Sequence, residues 1–182
     1  LDPNLADAAA DWIDADDETL LPGGQENALY FAAARPARAA NRLLVHPAEL
    51  ARARGFDEAT LQRLSAFVTA LPVRTKVNVN TAPEEVIAAI APELDADMRT
   101  VLIRERQLKP FASISGAEGF ATRFKALKPA TAEGLDVGSD FLLLQLALEV
   151  PGAQGVRSAL LRRRATGGVE DWPAIIWTQN AL

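Results

Sequence analysis

FLLLQLALEV (141–150), PGAQG (151–155), VRSALLRRRAT (156–166), GG (167–168) and WPAIIWTQ (172–179) decide the fold class. The first run is nearly continuously apolar, interrupted by Gln145 and Glu149, as expected of a well-covered strand. PGAQG and GG are turn clusters. Three runs separated by two turns predict an antiparallel meander. In 156–166 the alternation is imperfect, and Leu and Arg there would also suit a helix. The hairpin signals on both flanks decide for a strand.

Upstream of this tail, helix signals dominate. NLADAAADWI (4–13) is Ala-rich and can start from Asn4 as an N-cap. Pro47 suits the first position of a short helix over 47–53. In 57–71 the residues Leu61, Leu64, Phe67, Val68 and Leu71 recur at three- and four-residue steps, one apolar helix face between Asp57 as cap and Pro72 as stop. In VNVNTAPEEVIAAI (77–90), Thr81 and Glu84 form a capping box, with Val86, Ile87 and Ile90 toward the core. Asn78 and Asn80 read as turn-forming residues ahead of that cap. Asp95 or Asp97 opens the next helix, with Met98, Val101, Leu102 and Leu108 apolar, and Ser115 with Glu118 predicts another that carries Phe120 and Phe124. The texture therefore changes near residue 130. It predicts an α+β chain, with a helical domain at 1–130 and antiparallel strands at 131–182.

Composition narrows the function. The chain has 182 residues and a net charge of −5, from 24 acids against 19 Lys plus Arg. A pI near 5.0 argues against general nucleic-acid binding, which needs a basic face. Hydrophobic residues at 49% exclude wholesale disorder. There is no Cys, which removes thiol chemistry, Cys-ligated zinc and disulfides. A single His, His46, cannot build a catalytic triad or a multi-His metal site, and before Pro47 it reads as a helix-entry or surface residue. No G-x-S-x-G elbow, P-loop or H-E-x-x-H motif occurs, so no enzyme is expected. The apolar runs fall short of the roughly 20 residues that cross a bilayer. The chain opens on LDPN, which reads as the middle of a longer protein.

The acids are unevenly placed. Residues 1–34 hold eight of them (Asp2, Asp7, Asp11, Asp14, Asp16, Asp17, Glu18, Glu26) and no Lys or Arg. Such carboxylates repel one another unless a hard cation joins them, and Ca²⁺ accepts irregular oxygen cages. The spacing is not that of an EF-hand, which needs Gly at the sixth loop position. Without a metal, the same cluster is a solvated acidic helix end capped by Asp14 or Asp16.

Residues 78–124 resemble the helix-hairpin-helix domains that bind DNA, through N-x-N-T-A leading into a helix and a later Phe-containing turn. In those domains, hairpin glycines and a helix N-terminus meet a phosphate. Here the hairpin is APELDAD (91–97), with three carboxylates and no Gly, and 78–125 carries six basic and seven acidic residues. The fold is expected without the DNA function.

Taken in order, DWIDADDE (11–18), GGQENALY (23–30), Asn41, HPAEL (46–50), ALP (70–72) and VNVNTAPEEVIAAI (77–90) resemble the general secretion pathway protein K family, the large minor pseudopilins of bacterial type II secretion. The resemblance implies a pilin-like fold, a long N-terminal helix (absent from this sequence) on an antiparallel sheet, with a large helical SAM-like or helix-hairpin-helix-like domain inserted. It implies a periplasmic protein anchored in the inner membrane through that helix. It would sit at the pseudopilus tip with minor pseudopilins I and J, start assembly, and contact exported proteins or the outer-membrane secretin. It also implies bound calcium, with Asp14, Asp16 and Glu26 as first ligands and Asp17 and Glu18 as second choices. Trp172, Ile175, Ile176 and Trp177 are expected in the sheet core or at a partner contact. Two other function classes remain to be weighed: a nucleic-acid-binding helix-hairpin-helix module, and a hydrolase using an acidic metal site.

Overall fold

The computed structural model describes residues 1–32, 38–163 and 172–181, and they fall into two compact units, 1–74 and 75–182. The unit boundary thus lies inside the stretch that the sequence texture treats as one helical domain. The change from helices to strands does come near residue 130.

The first unit contains α1 (Leu5–Ile13), α2 (Asn27–Ala32), a 3-10 helix (Pro47–Arg52) and α3 (Glu58–Leu64). Its core joins Ala8, Trp12, Tyr30, Leu50, Ala53 and Phe56. Trp12 meets Tyr30 edge-to-face at 5.2 Å, a geometry that suits aromatic quadrupoles. His46 enters the 3-10 helix as expected: its Nδ1 accepts the Ala48 N–H, while Glu49 accepts the His46 N–H. Asp57 caps α3 through the Thr60 N–H. That helix stops at Leu64, however, and not at Leu71. Leu61 and Leu64 already reach the core, and Phe67 and Val68 stay exposed. Asn4 precedes α1 without a side-chain cap bond.

The second unit starts with β1 (Val77–Asn78) and continues through α4 (Glu84–Ile90), α5 (Ala96–Leu108), α6 (Phe120–Arg123), α7 (Pro129–Glu133) and β2 (Leu135–Asp136). β1 and β2 pair in parallel, Val77 with Leu135 and Asn78 with Asp136. Around this short ladder lies a core of Val79, Ile87, Leu94, Leu102, Phe120 and Leu135. Asp95 caps α5 through the Met98 N–H. Leu102 points inward, but Val101 and Leu108 do not. Two predicted caps are absent. α4 begins after Pro83 with no side-chain cap bond, and α6 begins after Gly119 rather than Ser115, so neither Thr81 nor Ser115 starts a helix. Asn78 does form the expected local turn by accepting the Asn80 N–H. Asn80 goes further. It accepts the Phe111 N–H and donates to the carbonyls of Phe111 and Val137, joining three segments.

The meander is present. β3 (Phe141–Val150), β4 (Ala153–Arg162) and β5 (Ala174–Ala181) form an antiparallel sheet in that order. The first turn is tighter than PGAQG suggests. Val150 pairs with Ala153 around Pro151 and Gly152, and Gly152 takes a φ of 85, which costs an L side chain dearly. The predicted GG turn at 167–168 and the end of 156–166 lie outside the described residues. Coverage is where the expectation fails. β3 is exposed along its length, and alternation puts Leu142, Leu144, Leu146, Leu148 and Val150 on one open side. Opposite Leu144 and Leu148 on β4 stand the small Ala159 and Gly155, and opposite Leu142 and Leu146 the longer Leu161 and Arg157. Trp172, Ile175 and Ile176 are exposed as well, not core, and Trp177 is half-buried. A near-continuous apolar run tells that a strand wants cover, not that cover is at hand.

Candidate metal centre

The acids of the first unit separate into two groups. Asp11 and Asp14 stand one helical turn apart at the C-terminal end of α1, where an i, i+3 spacing puts them on one face. Glu26 sits just ahead of α2. One carboxylate oxygen from each of Asp11, Asp14 and Glu26 lies within 4.8 Å of the others. Asp11 is fully buried and Glu26 is 3% exposed.

The remaining predicted ligands are not brought to this cluster. Asp16 accepts the Glu18 N–H at 2.9 Å, and Asp17 accepts the Asn27 side-chain amide at 2.8 Å. Asp16, Asp17 and Glu18 are all exposed. Asp11 was absent from the predicted ligands. Its signal was present in the sequence, as the first acid of DWIDADDE at helical spacing from Asp14.

Local backbone geometry builds the site. Both oxygens of Asp11 accept the Leu20 N–H, at 3.2 and 3.1 Å, and Asp7 accepts the Gly23 N–H at 3.3 Å. These bonds fold the acidic loop back along α1. Gly24 packs so closely that a Cβ there would run into the Asp11 carboxylate and the Leu20 carbonyl. The Gly23–Gly24 pair therefore serves close approach, not phosphate binding.

The electrostatics are unfavourable as they stand. Burial holds the Asp14 carboxyl above its ordinary range, and Asp16 and Asp11 push the same way. Burial also raises Glu26, followed by Asp11 and Asp14. α1 places acids at its negative end and no basic residue in its last turn, the reverse of what a helix dipole favours. Both oxygens of Glu26 and one of Asp14 are buried with no hydrogen-bond partner. Buried polar atoms are nearly always satisfied, so these oxygens fit a cation, and the all-oxygen donor set fits a hard one. Calcium suits them; Asp11, Asp14 and Glu26 would hold it, and it would supply charge neutralisation and a cross-link between α1 and α2.

The stretch 78–124, which resembles the DNA-binding helix-hairpin-helix domains in sequence, carries an acid where they meet a phosphate. Its 91–97 hairpin turns Glu93 onto the Lys128 N–H at the start of α7, a use that leaves an acid where a phosphate would need a glycine.

Comparison with known proteins gives a consistent result. Two family models, both described as Type II secretion system (T2SS), protein K, match residues 1–73 and 77–137. Type II secretion system protein K of Pseudomonas aeruginosa is 36% identical over 135 residues, 74% of this chain and 37% of that protein. The protein K of Klebsiella pneumoniae is 29% identical over 183 residues, 97% of this chain and 56% of that protein. The chain thus spans only part of the length of the curated relatives it matches. Among solved structures, the GspK-GspI-GspJ complex from the enterotoxigenic Escherichia coli Type 2 Secretion System matches with a TM-score of 0.75 at 22% identity. That match covers 98% of this chain and 63% of the other, and it shows a shared fold.

Proposed function

Because the chain belongs to the type II secretion system protein K family, we propose that it is part of the periplasmic region of a non-enzymatic minor pseudopilin. It joins minor pseudopilins I and J in a tip complex, starts pseudopilus assembly and supports protein export. The observation that carries this reading is the open aliphatic side of β3, from Leu142 to Val150. Exposed apolar surface of this extent marks a contact surface, since an isolated soluble domain would hide it. The pilin-like arrangement gives it an occupant, an N-terminal helix that also anchors the protein in the inner membrane. Among the described residues, no helix is itself long and apolar enough to cross a membrane. Residues 1–130 would be mostly the inserted helical domain in this arrangement, and the strands that follow would belong to the pilin-like sheet. The acidic centre has a structural role, binding calcium to fix the loop between α1 and α2.

The test is reconstitution. The periplasmic regions of this protein and of its cognate pseudopilins I and J are mixed, and their mass is read by light scattering. A one-to-one-to-one complex is expected, together with restored export when the full-length gene is returned to a strain lacking protein K. A chain that stays alone, in a strain whose export does not depend on it, would sink the proposal.

A further inference from the structure

Resting on the calcium reading of Asp11, Asp14 and Glu26, we infer that Asn41 completes the centre, its side-chain oxygen serving as a neutral ligand to the same cation. Asn41 has a φ of 43, a left-handed conformation that Asn tolerates better than most residues with a side chain. Its own N–H holds it there by donating to the Trp12 carbonyl at 3.1 Å, in the last turn of α1. Its Nδ2 faces the Asp16 carbonyl at 3.5 Å, which settles the orientation of the amide. The other end, Oδ1, is buried and has no hydrogen-bond partner.

The same stretch is fastened on its other side, where the Ala39 N–H donates to Oδ1 of Asn27 at 3.0 Å. Asn27 follows Glu26 directly. Residues 39–41 are therefore stitched to the end of α1 and to the start of α2, the two places that supply the acids. Among the described residues, the buried side-chain oxygens without a partner are one of Asp14, both of Glu26 and that of Asn41. All four come from the segments that these bonds tie together, and one cation between them would satisfy them together. Charge favours an amide in the last position. Three carboxylates already exceed the charge of a divalent ion, so a neutral oxygen adds a ligand without adding repulsion. Calcium takes carboxylate and Asn oxygens in flexible shells, whereas magnesium demands a near-ideal octahedron and keeps its waters.

The test is calorimetric titration of the chelator-stripped chain with calcium chloride and with magnesium chloride, for wild type, Asn41→Gly and Asn41→Asp. Glycine accepts the same φ and removes the whole side-chain amide, both Oδ1 and the Nδ2 that faces Asp16, while aspartate keeps an oxygen. Calcium affinity should fall about tenfold or more in Asn41→Gly and stay within about threefold in Asn41→Asp. The metal-free melting temperatures of wild type and Asn41→Gly should agree. Equal calcium affinity in wild type and a folded Asn41→Gly overturns the role of Asn41 and leaves the three-acid centre standing. A wild-type chain that takes up no calcium overturns the centre itself, and the assignment of Asn41 with it. Should Asn41→Gly fail to fold, Asn41→Ala takes its place: a folded Ala variant with wild-type calcium affinity overturns the assignment, and one that binds calcium about tenfold or more weakly while Asn41→Asp keeps it supports it.

Discussion

The carboxylates of Asp14 and Glu26 approach within 4.8 Å of each other, and both bind protons more tightly than ordinary acids. Their proton affinity is raised on folding, so above pH 4.5, the ordinary value for Glu, these two groups hold more protons in the metal-free folded chain than in the unfolded one. Stability without metal should then fall as pH rises through their raised values. The acids with lowered values, Glu49, Asp57, Glu93 and Glu105, act in the opposite sense, but only below their ordinary values of 4.5 and 3.8. Melting of the chelated chain should therefore come at a higher temperature at about pH 5 than at about pH 7.5, and millimolar calcium should remove or reverse that trend. A metal-free melting temperature that climbs steadily to neutral pH would contradict the arrangement.

Glu26→Gln should act in opposite directions with and without metal. It removes one buried charge from a group of three, which should stabilise the chelated chain by about 1 kcal/mol. It should also abolish most of the calcium-induced rise in melting temperature. Asp16→Asn, at an exposed residue outside the cluster, should leave that rise largely intact. Differential scanning calorimetry of the two variants separates the cases.

Gly24→Ala tests the close approach of loop and helix. Its new Cβ collides with the Asp11 carboxylate and the Leu20 carbonyl, so the loop must move. A loss of about 2 kcal/mol and a weakened calcium response are expected. Urea unfolding with and without calcium reads both.

Asn80→Ala should be costly without any metal. It leaves the Phe111 N–H without its acceptor and the carbonyls of Phe111 and Val137 without this donor. About 2–4 kcal/mol should be lost, since unmet buried groups cost more than a hydrogen bond returns. Asn80→Asp keeps the acceptor and should fall between the two in chemical denaturation.

Leu146→Lys should leave the stability of this chain within about 0.5 kcal/mol, because Leu146 is 57% exposed. The same change in the full-length protein should impair assembly with the other pseudopilins. Denaturation of the one and co-purification of the other make the comparison.

Much of this could be read in the sequence because it is local. Asp57 and Asp95 cap their helices through the next turn, and three apolar runs around turn residues gave the meander. The misreadings arise where distant residues decide. Thr81 has a capping-box partner in sequence, but Pro83 starts the helix instead. The apolar steps of 57–71 continue past Leu64, yet the core is already filled. Asn80 looks like a turn residue until Phe111 and Val137 are placed beside it. Of the acids the sequence singles out, Asp14 and Glu26 come together beside Asp11, while Asp16, Asp17 and Glu18 stay apart because the chain leaves the helix at Asp14.

The two-residue ladder of β1 and β2 has a last consequence. A parallel pair brings the start of one strand beside the start of the other, so the chain enters this region at Val77 and leaves past Asp136 from neighbouring points. Everything between closes on itself around its own core. The two ends of this stretch therefore stand only one strand spacing apart, about 5 Å.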